Sequence, residues 1–190
     1  AWAAHPEART VGPSMHRRQL LLGMAALLPA APAWANPLRF SGDSAAPPQP
    51  ACGPDSVDWA MLDVLRTQYG LDAIVQGAAS DLDRVRRLSA WTRSRWRHNG
   101  SNEPSRNDPL TILAEAAQGQ RFRCVEYSEV LAAALSAVGT PARVLGLQRA
   151  DIETAESGAG HVAVEAWLAD RRRWILVDGQ WDVIPLSAGE

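Results

Sequence analysis

The chain has 190 residues, enough for one domain with a proper core, and carries 19 arginines, no lysine and 21 acids, for a net charge of −2. Residues 36–190 hold 16 of those arginines against 20 acids, a net −4. A mildly acidic domain without a basic tract lacks what phosphate neutralisation needs, so nucleic acid is not an expected partner.

The first segment with a pattern is Met15-His16-Arg17-Arg18, a short positive stretch, followed by an apolar run from Gln19 that ends Ala33-Trp34-Ala35. This is the layout of a secretory signal peptide, cut after Ala35, and residues 1–14 read as upstream sequence. The run is too short, and too interrupted by Pro29 and Pro32, to span a bilayer. Arg17-Arg18 before Gln19-Leu20-Leu21 fits a twin-arginine signal, and a Sec signal begins with similar charges; both routes predict a periplasmic or secreted protein with no membrane span after cleavage. Residues 36–54, rich in Pro with Ser, Gly and Ala, predict an extended linker. The folded domain is expected over 55–190.

Asp55 or Ser56 is placed to cap a helix carrying Trp59, Leu62 and Leu65, closed by Gly70. Ser80 caps a second, with Leu82, Val85, Leu88 and Trp91 on one face, expected to run toward Asn99-Gly100. A polar loop follows, and Asp108 caps a third helix with Pro109 in its first position, stopped by Gly119. A fourth starts at Arg123-Cys124 and runs to Val138 with Tyr127, Leu131, Ala134 and Leu135 in its stripe; Gly139 and Pro141 end it. Strands are expected at 142–148, 161–168 and 173–178, the last two paired as an antiparallel hairpin around Ala169–Arg172, with a polar, Gly-rich loop at 149–160. Helices first and then a short antiparallel sheet is an α+β architecture.

Three residues in that frame carry chemistry. Cys124 stands where a loop turns into an apolar helix. A helix N-terminus offers partial positive charge and free N–H groups that favour thiolate, and Arg121 and Arg123 add charge nearby. His161 opens one strand after Gly158-Ala159-Gly160, and Asp178 ends the strand expected to pair with it, so the two are expected at one end of the ribbon as cross-strand neighbours. A sulfur nucleophile, an imidazole base and a carboxylate that orients it are the parts of a thiol acyl-transfer site. Each residue also has a structural reading. A lone Cys before an apolar helix is often packing or half of a disulfide, with Cys52 as its only possible partner. A His that opens a strand is often structural, and Asp-Gly is a common turn pair.

The stretch from Gly119 through Cys124 to Gly139-Thr-Pro-Ala-Arg143-Val resembles the nucleophile segment of bacterial transglutaminase-like domains, in which a loop opens a helix that ends in G-x-P-A-R-V. His161-Val-Ala-Val-Glu-Ala-Trp167 is similar to that family's His strand, and Arg173-Trp-Ile-Leu-Val-Asp178 to its W-x-x-x-D strand, with Gly179 where Pro is frequent. Trp91-Thr-Arg-Ser-Arg-Trp96 resembles the tryptophan-rich helix upstream. The resemblance spans roughly 80–182. It implies a papain-like fold, with N-terminal helices packed on a small antiparallel sheet. It also implies Cys124 as nucleophile, His161 as base and acid, and Asp178 as orienter. In papain-like enzymes a Gln six residues before the Cys can serve the oxyanion, an offset that Gln118 has. The expected activity is hydrolysis or transfer at a peptide or carboxamide bond through a thioester, on a peptide or protein partner such as cell-wall peptide, with no cofactor. Calcium-loop spacings are missing, so no metal is expected. The rivals are a crosslinking transglutaminase and a catalytically silent module that binds peptide or cell-wall material.

Overall fold

The computed structural model describes residues 58–149, 154 and 160–185. The expected signal peptide, the linker and most of the 149–160 loop lie outside them. Five helices precede a three-stranded sheet: α1 (Trp59–Gln68), α2 (Leu71–Val75), α3 (Asp81–Arg93), α4 (Pro109–Ala117), α5 (Cys124–Ala137), β1 (Ala142–Gln148), β2 (Gly160–Leu168) and β3 (Arg173–Val177).

Local chemistry sets the helix starts. Asp58 caps α1, its carboxylate accepting from the Met61 N–H at 2.9 Å; the expected caps Asp55 and Ser56 lie outside the described residues. Ser80 caps α3, accepting from the Asp83 N–H at 3.1 Å, and Asp83 in turn accepts from the Ala79 N–H at 3.0 Å. Gly70, at φ +61°, ends α1 and starts the short α2, which the sequence pattern did not reveal. The second expected helix stops at Arg93 rather than near Asn99. The Ser94 hydroxyl donates to the Trp91 carbonyl at 2.6 Å and Arg95 Nε to the same oxygen at 3.1 Å, which satisfies the terminal carbonyl and turns Trp96 into the core.

Asp108 caps α4 as expected, accepting from the Thr111 N–H at 2.9 Å and the Thr111 hydroxyl at 2.7 Å, with Pro109 in the first turn. Asp108→Ala is expected to cost about 1–2 kcal/mol in a urea titration at neutral pH. Burial acts to raise the Asp108 carboxyl, but its bonds to Thr111 and Arg106 outweigh burial and hold it below the ordinary range. A depressed carboxyl adds stability that is present above its unfolded value and lost as pH falls through its folded value. The gap between variant and wild type therefore narrows in acid.

The sheet has the order β1-β2-β3, antiparallel throughout, with Val144 opposite Val164 and Val164 opposite Val177. Helix α5 is the centre of the helical layer. It packs on α1, α3 and α4, and also against β1 and β2. Tyr127, Val130, Leu131 and Leu135 on α5 share one core with Val164, Ala166, Leu168 and Val177 on the sheet. Its amino end is thereby fixed relative to the strands.

Candidate active site

The loop from α4 to α5 delivers Cys124. Gly119, at φ +93°, releases the chain from α4. The Asn99 N–H then donates to the Phe122 carbonyl at 2.8 Å, and Asn102 Nδ2 to the Arg121 carbonyl at 2.8 Å, so the polar 99–107 loop straps the approach. Phe122 is fully buried with its ring 5.8 Å from Trp96. Trp96 lies 4.4 Å from the Tyr127 ring, and the Tyr127 hydroxyl donates to the Trp96 carbonyl at 2.8 Å. Burial pushes the Tyr127 phenol up, so it stays a donor. The residues on both sides of Cys124 are thus locked by one aromatic cluster. The Trp96 indole N–H is buried and has no hydrogen-bond partner among the described residues. Cys124 itself is the first residue of α5, a free thiol of intermediate exposure. Its possible partner Cys52 lies outside the described residues.

The charge expected from Arg123 is not free. Glu126, fully buried, accepts from the Arg123 N–H at 2.9 Å and from Arg123 Nη2 at 2.7 Å, and Glu103 takes Arg123 Nη1. Hydrogen bonding to Glu126, then Coulomb attraction, outweighs burial and holds the guanidinium in its charged form. One arginine between two carboxylates lends the thiol no net positive charge, so of the two arginines expected to add charge there Arg123 is already neutralised. Glu129, one turn on, has its carboxyl pushed up by burial first and by Glu126 second.

His161 and Asp178 meet: Nε2 lies 2.6 Å from Oδ2. They are not directly opposed, however. The β2–β3 ladder ends at Val164 and Val177. Continued, its register sets Ala163 across from Asp178 and Gln180 across from His161, so the contact is diagonal, within side-chain reach. Asp178 also leaves the strand. It forms an isolated bridge with Val183, N–H to carbonyl at 2.9 Å one way and 3.2 Å the other. Its Oδ1 accepts from the Gln180 N–H at 2.9 Å and the Trp181 N–H at 3.1 Å. One oxygen holds the turn and the other holds the imidazole.

That turn is seated on the cysteine helix. A Cβ on Gly179 would stand 3.1 Å from Leu131 Cδ2 and 3.3 Å from the Tyr127 carbonyl oxygen. Tyr127 is one turn beyond Cys124, so Gly179 places the His161–Asp178 pair against the amino-terminal half of α5. Asp182, at φ +55°, accepts from the Ser89 hydroxyl of α3 at 2.6 Å. Ser89 escaped sequence reasoning, while Gly179 and Trp96 were visible only as a turn residue and as part of a tryptophan-rich segment. Gln118 caps the end of α4 and is exposed, with nothing that directs its side chain to Cys124.

Among the described residues no group of three or more His, Cys, Asp and Glu side chains has the arrangement of a metal site, and no helix is long and apolar enough to cross a membrane. A family model described as the transglutaminase-like superfamily matches residues 70–179, more than half of the chain. Among solved structures, a cysteine-protease candidate from Cytophaga hutchinsonii is 14% identical over 68% of this chain and 45% of its own, with a TM-score of 0.49. The periplasmic domain of TgpA from Pseudomonas aeruginosa, bound to ethylmercury, is 20% identical over 62% of this chain and 44% of its own, at 0.46. A structure described as a TGase is 17% identical over 69% and 34%, at 0.45. The chain spans less than half the length of each. No curated protein matches it.

Proposed function

The chain belongs to the transglutaminase-like superfamily, and from that premise we propose that it is an exported cysteine enzyme that hydrolyses a peptide or carboxamide bond through a thioester. The observation that carries this reading is the 2.6 Å contact between His161 Nε2 and Asp178 Oδ2, on a turn seated against the helix that Cys124 begins. A carboxylate only accepts, so Nε2 carries the hydrogen and Nδ1 is left as the base.

In the proposed reaction His161 Nδ1 takes the Cys124 proton and the sulfur attacks the carbonyl carbon. The carbonyl oxygen becomes anionic as the C–S bond forms. The Cys124 backbone N–H, in the first turn of α5, is one donor for that oxygen. Collapse breaks the C–N bond, and the imidazolium gives its proton to the departing amine. Water, deprotonated by the same imidazole, then cleaves the thioester and restores the thiol.

The test is direct. The full chain is mixed with a panel of peptides and carboxamides, quenched in acid and weighed intact. A mass gain equal to the acyl group, mapped to Cys124 and discharged by hydroxylamine, is the expected result. A folded protein that acquires no acyl group, and whose Cys124 reacts with iodoacetamide no faster than a His161→Ala variant, is a binding module instead.

A further inference from the structure

We infer that Trp181 is a substrate-contacting residue that selects a peptide with a large apolar side chain beside the carbonyl attacked by Cys124; this rests on the site proposed above. The turn after Asp178 is unusually constrained. Asp178 and Val183 exchange two backbone hydrogen bonds, Asp178 Oδ1 takes the Gln180 and Trp181 N–H groups, and Ser89 holds Asp182. Gly179 and Gln180 point into the protein and are buried. Trp181 is instead 64% exposed, and Val183 is 49% exposed.

An indole left in water forgoes a large burial gain. These hydrogen bonds fix the backbone that presents it, so part of the cost of ordering this segment is met before a ligand arrives.

Its position gives that surface a use. The Trp181 N–H and the His161 imidazole bind the two oxygens of one carboxylate. The His161 side chain is 32% exposed and Cys124 is of intermediate exposure, so solvent and a ligand reach the pair. Trp181 and Val183 are both apolar, and the Asp182 carboxylate between them is engaged by Ser89. The surface therefore suits an aromatic or large aliphatic side chain rather than a charged one.

Two peptidyl chloromethyl ketones of equal length, one ending in Phe and one in Gly, test this on the full chain. The readout is the second-order rate of Cys124 alkylation, followed by intact mass. Wild type is expected to favour the Phe probe about tenfold, the size of one good aromatic contact. Trp181→Ala is expected to bring the ratio near one, and Trp181→Phe to keep most of it. Circular dichroism verifies that both variants fold. A ratio near one in wild type, or a ratio unchanged in Trp181→Ala, overturns the role of Trp181; if His161→Ala still slows both probes, the proposed site stands. Failure of either probe to modify Cys124 overturns the site and this inference together.

Discussion

Asp178→Asn is expected to lower kcat/KM on a peptide or carboxamide substrate by about a thousand- to ten-thousandfold while leaving the fold intact. The reason lies in how the two carboxylate oxygens are used. Oδ1 accepts two backbone N–H groups, from Gln180 and Trp181, and only Oδ2 faces His161 Nε2. A carboxamide has one oxygen and one NH₂. Keeping the turn requires the oxygen at the Oδ1 position, which turns the NH₂ toward the imidazole. Nε2 must then accept, the ring hydrogen moves to Nδ1, and the base is lost to the thiol. The opposite rotamer keeps the tautomer but sets an NH₂ against two N–H donors. Asp178→Ala removes both functions and is expected to lose stability as well as activity. Steady-state kinetics beside urea unfolding separates the two variants: equal unfolding midpoints for them would contradict a structural role for Oδ1.

Gly179→Ala is expected to cost about 1–3 kcal/mol of stability and to reduce kcat by about ten- to a hundredfold. The new methyl meets the Tyr127 carbonyl oxygen at 3.3 Å and Leu131 Cδ2 at 3.1 Å. The first is backbone inside a helix and yields little, so the turn must lift, and Asp178 is the adjacent residue. KM is expected to change less than kcat, because the displaced groups orient a proton transfer rather than hold the substrate. An unchanged kcat with lowered stability would show that the turn and the carboxylate move independently.

The helices and strands were legible where local chemistry decides them. Ser80, Asp108-Pro109 and Gly139 declare their ends, and the alternation in 142–148 and 161–168 declares strands within one residue of the observed bounds. The α3 terminus was not legible, because Arg93–Trp96 keeps helical composition while Ser94 and Arg95 cap the Trp91 carbonyl. His161 and Asp178 were legible as a pair through the hairpin. Their diagonal offset was not, since it depends on where the ladder ends and on Asp178 turning away to bridge Val183. Side-chain partners drawn from distant segments left no mark: nothing in the sequence links Ser89 to Asp182, or the Arg123 guanidinium to Glu103 across the 99–107 loop.

The hydrogen bond between Ser89 and Asp182 joins positions 93 apart. The imidazole–carboxylate contact spans only 17 positions and is closed locally by the hairpin, whereas its seating against the helices depends on long closures such as this one.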